Sequence, residues 1–143
     1  MLKKSLVTLS IITALVFALC SCTLETSNNG DLDGAWHLLA IDDKPVEQHP
    51  DLYWNFQNKL LELTDKSTDC GVFLLRFSHK DGKLLLSDPY IYDRDNGDKP
   101  MEEATSLQPF GIYNMNETFE VISLSHSRMT LKSANVKLDF RKF

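Results

Sequence analysis

Short apolar or alternating runs recur from Gly34 to the end of the chain, and turn-forming residues separate them. That rhythm constrains the fold more than any other feature. Runs of this length bounded by Gly, Asn, Asp and Ser predict strands rather than helices. Strands are expected near 34–42, 52–57, 59–64, 71–78, 83–87, 90–93, 118–124, 128–132 and 135–142. Lys80-Asp81-Gly82 lies between two apolar runs and predicts a hairpin, because Gly accepts positive φ in the turn. Asp95-Asn96-Gly97-Asp98, Ser125-His126-Ser127 and Ser133-Ala134-Asn135 predict further turns. The last run alternates Val136, Leu138 and Phe140 with Lys137, Asp139 and Arg141, so one face is apolar and the other charged. Short helical turns are expected only near Pro100 to Ala104 and Leu107 to Ile112. The predicted fold class is all-β: a small antiparallel barrel or sandwich.

The N-terminus carries a different signal. Lys3 and Lys4 precede an apolar stretch from Leu6 to Leu19, and Leu19-Cys20-Ser21-Cys22 follows. This is the layout of a secretory signal peptide. The stretch is short for a span, which needs about 20 residues. Its end resembles a bacterial lipobox, with small Ser21 before the cysteine. Residues 1–21 are therefore expected to be a lipoprotein signal peptide and Cys22 the lipidated residue. Residues 22–33 read as the lipidated cysteine and a flexible tether, and residues 34–143 as the folded domain. The expected location is the bacterial cell envelope, lipid-anchored, at the outer membrane. Thr23, not Asp, follows the cysteine, which does not favour inner-membrane retention.

Composition narrows the function. The chain has 143 residues, net charge −5 and a pI near 5.3. Without residues 1–21 it has 13 basic and 20 acidic residues, net −7. Such a chain is a poor nucleic-acid binder, because phosphate contacts need a basic face. After lipidation of Cys22 and loss of Cys20, Cys70 stands alone, so no disulfide within the chain is expected. Cys70 itself reads as a small buried residue near a turn. Asp93 to Asp98 starts like a calcium loop, but Gly97 is fifth rather than sixth and Ala104 holds the twelfth place, where Glu is required. It reads as a solvated turn. His37, His49, His79 and His126 show no ligand spacing, and no nucleophile or phosphate-loop motif occurs. No enzyme activity, cofactor or metal is expected.

A family resemblance rests on two ends of the domain. Gly34-Ala35-Trp36 opens the first strand, and Phe140-Arg141-Lys142-Phe143 closes the last. A Gly-x-Trp at that place resembles the lipocalin and wider calycin families. Tyr53-Trp54-Asn55-Phe56-Gln57, Pro109-Phe110-Gly111-Ile112 and Phe119-Glu120-Val121 extend the likeness to lipocalin-like lipoproteins of Bacteroides-type bacteria. The resemblance implies an up-and-down β-barrel of about eight strands. It implies that Gly34 and Trp36 close one end, with a basic residue of the final strand across the ring. Arg141 is the best match and Lys142 the alternative.

An apolar pocket for a small hydrophobic ligand is then expected at one end of the barrel, lined by Trp54, Phe56, Phe73 and Phe77. Arg76 interrupts the apolar run from Val72 to Phe77. It is a solvent-side charge if the Phe face points inward, and the partner of a ligand carboxylate if the reverse holds. The other reading is a barrel filled by its own side chains, acting on an envelope protein as an interaction or inhibitor module.

Overall fold

The computed structural model describes residues 28–143. The expected signal peptide and Cys22 lie outside the described residues. A single turn of 3-10 helix, η1 (Gly30–Leu32), leads into β1 (Gly34–Ile41). Seven further wall strands follow: β3 (Leu52–Gln57), β4 (Leu60–Asp65), β5 (Val72–Lys80), β6 (Lys83–Ile91), β8 (Glu117–Leu124), β9 (Arg128–Lys132) and β10 (Lys137–Lys142). Two-residue pieces, β2 (Lys44–Pro45) and β7 (Lys99–Pro100), pair with β1 and β6. Each wall strand pairs antiparallel with the next, and β10 returns to β1. The sheet is thus a closed, up-and-down, eight-strand barrel without a free edge.

Period-two alternation sends one face of every strand inward. Trp36 and Leu38, then Leu52, Trp54 and Phe56, then Leu61 and Leu63 are buried, and so are Phe73, Leu75 and Phe77. Leu84, Phe119, Leu131, Leu138 and Phe140 complete the circle. Trp54 stands at the centre, with ring centroids 5.1 Å from Phe140 and 5.7 Å from Phe119, both edge-on. Edge-on aromatic pairs at this spacing add to simple area burial.

Three local expectations change. Residues 83–87 and 90–93 are not two strands. β6 runs unbroken to Ile91, because Asp88 and Pro89 together oppose Leu75 between the Arg76–Ser87 and Leu74–Tyr90 pairs. The extra residue is a bulge, with Asp88 at φ 50°. The turn near Pro100 to Ala104 is not helical. The helical segment is η2 (Thr105–Phe110). Leu32, placed in the tether by the sequence, is fully buried in the core, so the folded unit includes residues ahead of Gly34.

η2 lies in the connection between β7 and β8 and sends Leu107 and Phe110 inward. Gly111 ends it at φ 84°, the left-handed region that glycine adopts without cost. A Cβ there would stand 2.4 Å from a methyl carbon of Leu138 in the core. Gly111→Ala is expected to cost about 1–3 kcal/mol through overpacking and backbone strain. Thermal unfolding followed by circular dichroism checks this, and an unchanged midpoint would remove η2 from its place.

Candidate functional site

The two ends of the barrel differ. At the start of β1, Trp36 is fully buried and its indole Nε1 donates to the Leu32 carbonyl at 2.8 Å. Lys142 Nζ lies 5.0 Å from the Trp36 ring centroid and donates to the Asp31 carbonyl at 2.8 Å. Gly34 has φ 114°, and a Cβ there would meet the Lys142 side chain at 3.2 Å. The Gly-x-Trp pattern therefore has a physical reason. Glycine lets the lysine stem pass to reach the ring two residues on.

Arg141 does not fill that role. Phe140 points inward, so the alternating strand sends Arg141 out to solvent and Lys142 back over the barrel end. Lys142→Met is expected to lower stability by about 1 kcal/mol through the lost cation–π contact and hydrogen bond. Arg141→Met should stay within about 0.5 kcal/mol. Urea unfolding of the pair decides between them.

The opposite end holds a cavity of about 210 Å³ beneath η2. Its walls are His49, Leu52, Asp65, Cys70, Phe73, Ser106, Pro109 and Phe110. Leu52 opens β3, Asp65 closes β4, Phe73 is near the start of β5, and η2 supplies the roof. Phe73 and Phe110 pack edge-on with centroids 6.1 Å apart. Cys70 and Ser106 are exposed, so the cavity reaches solvent at one side.

Asp65 is the charged member of this wall, and only 1% of its side chain is exposed. Burial alone would push its carboxyl up. Hydrogen bonds from the Ser67 hydroxyl, His49, the Ser67 amide and the Thr68 hydroxyl outweigh burial and lower it from 3.8 to about 2. Ser67 Oγ, Ser67 N, Thr68 Oγ1 and His49 Nδ1 all lie within 2.5–3.0 Å of its two oxygens. The carboxylate is thus ionised at neutral pH, and His49 presents Nδ1 to it at 2.9 Å.

The expected ligand residues do not form one site. Trp54 and Phe56 are sealed in the core, exposed by 0% and 1%. Trp54 Nε1 is a buried donor without a hydrogen-bond partner among the described residues. Phe73 lines the end cavity. Phe77 packs on Phe56 at 5.0 Å and borders a separate groove of about 270 Å³. Arg76 is exposed on the outer face, since Phe73, Leu75 and Phe77 take the inner one. It cannot meet a ligand carboxylate inside the barrel.

The sequence reading missed His49, Asp65, Ser106 and Phe110 as cavity residues and took Cys70 for a buried one. The run Asp65-Lys66-Ser67-Thr68 does carry a signal, since an Asp two and three residues before hydroxyls forms an Asx turn. The Asp93 turn is satisfied internally. Asp93 accepts from the Asp95 and Asn96 amides, and Asp98 accepts from Asp93 N. Among the described residues no cluster of His, Cys, Asp and Glu could hold a metal ion.

A family model of a lipocalin-like domain matches residues 17–143. The chain belongs to this lipocalin-like family. Among solved structures, it is similar to a lipocalin-like protein from Bacteroides uniformis, with 25% identity and a TM-score of 0.59. That match covers 80% of this chain and 100% of the other. A protein from Bacteroides eggerthii, described as uncharacterized, shares the fold at 20% identity and a TM-score of 0.53, over 78% of this chain and 98% of its own. No curated protein matches the chain. Lys142 over Trp36 and the filled aromatic centre are therefore features of a lipocalin-like barrel whose free space lies at one end.

Proposed function

We propose that this lipocalin-like protein is a lipid-anchored envelope protein that holds a small apolar ligand in the cavity beneath η2. One observation carries the reading: a cavity of about 210 Å³ between Phe73 and Phe110, open at one side, lies at the end of an otherwise packed barrel. Apolar cavities of roughly 150 Å³ accept benzene-sized molecules, so the ligand has on the order of ten non-hydrogen atoms. The ionised Asp65 disfavours an anionic head and favours an uncharged or cationic one. Binding needs no cofactor and involves no catalysis. The lipobox at Cys22 supports an acyl anchor, and more than one acyl chain suffices for stable attachment at the outer membrane.

Fluorophenol titrated against the protein and followed by fluorine NMR tests the cavity. Saturable binding is expected in the natural sequence and its loss in Ser106→Trp, which places an indole at the cavity's exposed side. Equal binding by both proteins would contradict the site.

A second reading follows from a separate observation. The outer faces of β4 to β6 set Leu60, Leu74 and Tyr90 along one groove of about 220 Å³. An apolar stripe of this kind on a filled barrel suits an envelope protein partner. In that case the fluorophenol titration gives no saturation in either protein.

A further inference from the structure

The outer wall carries a row of side chains that the ligand cavity does not use. Cross-strand register sets Tyr53 beside His37, His37 beside Arg141, and Arg141 beside Arg128. His37 stacks on Tyr53 at 4.8 Å. Lys66 Nζ lies 4.2 Å from the Tyr53 ring centroid and 4.9 Å from that of Phe143. Phe143 is 82% exposed. None of these side chains is acidic. Asp139, two residues from Arg141 on the same face, is taken by Lys137 and by the Thr130 hydroxyl. Among the described residues, Lys66, Arg128 and Arg141 form no ion pair. In a chain of net charge −5, an unneutralised basic and aromatic strip is a local reversal of charge.

Its position is equally informative. The described chain enters at Asn28, and Asn29 Nδ2 donates to the Asn58 carbonyl in the turn between β3 and β4. Lys142 reaches back to Asp31, and the Phe143 amide donates to Ala35. The C-terminal edge of the strip thus lies where the N-terminal segment arrives. Five residues lie between Cys22 and Asn28, a reach of at most about 20 Å.

We propose that this strip is a membrane-apposing surface that engages anionic lipid headgroups and brings the β8–β9 turn closer to the bilayer than the β9–β10 turn. The proposal rests on the acyl anchor read at Cys22 for its short tether. Its chemistry is independent of that anchor. Cations near an anionic leaflet are each attracted to it, and aromatic side chains settle at headgroup depth. An acyl anchor fixes distance, and the strip fixes orientation.

The test uses the lipidated mature protein with Cys70→Ser and a fluorophore on Ser127→Cys, in the β8–β9 turn beside the strip. A second preparation carries it on Ala134→Cys, in the β9–β10 turn. Vesicles are phosphatidylcholine alone, or equal parts phosphatidylcholine and phosphatidylglycerol, each with a headgroup-borne quencher. In anionic vesicles the Ser127 label should be quenched several-fold more than the Ala134 label. The difference should vanish in neutral vesicles, at high salt, and in Arg128→Glu with Arg141→Glu. Equal quenching at both positions in anionic vesicles overturns the proposal. Flotation with neutral vesicles reports the anchor separately. A chain that fails there but floats with anionic vesicles, at least tenfold more weakly in the double variant, loses the anchor and keeps the strip. Flotation with neither overturns both.

Discussion

Replacing Trp36 by alanine is expected to lower the unfolding free energy by about 3–5 kcal/mol. The ring is fully buried, its Nε1 donates to Leu32, and Lys142 covers its face. Truncation opens a cavity at the barrel end and strands the Leu32 carbonyl. It also leaves the lysine over empty space. Equilibrium unfolding in urea gives the number, and a loss below about 1 kcal/mol would mean that Trp36 is not the plug. Trp36→Phe should fall between the two, since it keeps most of the ring but loses the donor.

The second large effect is at Asp65. Removing its carboxylate by Asp65→Ala is expected to cost about 3 kcal/mol. The Ser67 amide and hydroxyl, the Thr68 hydroxyl and His49 all lose their acceptor. The pH dependence gives the sign. The folded-state value is lowered, to about 2 from 3.8. The stabilisation is therefore complete above the unfolded value and is lost as pH falls from near 4 toward 2. Over that window the natural protein should lose about 2 kcal/mol from this group, since one unit is about 1.4 kcal/mol. The alanine variant should lack that component. Parallel slopes for the two proteins would show that the carboxylate is not held as described.

Much of the barrel was legible because strand parity is a local property. The alternation of Val136, Leu138 and Phe140 fixes which face of β10 is inside, and Lys80-Asp81-Gly82 fixes the hairpin between β5 and β6. The same parity, counted on from Phe140, selects Lys142 rather than Arg141 for the Trp36 ring, yet likeness to a pattern favoured the wrong neighbour. The bulge at Asp88-Pro89 was hidden because turn-forming residues inside a strand read as a break. The cavity was illegible for another reason. His49, Asp65, Phe73 and Ser106 come from four separate stretches, and only barrel closure brings them together. The expected ligand set failed because inward-facing aromatics in a small barrel fill it. Trp54, Phe56, Phe119 and Phe140 leave the space to the end of the barrel.

Native mass spectrometry of the protein drawn gently from the bacterial envelope tests directly whether the cavity beneath η2 holds a ligand. A non-covalent added mass of a small molecule is expected, on the order of ten non-hydrogen atoms, that leaves on denaturation. The same preparation of Ser106→Trp should fly without it. A bare mass for the natural sequence, or an added mass that persists in Ser106→Trp, would contradict a ligand held beneath η2.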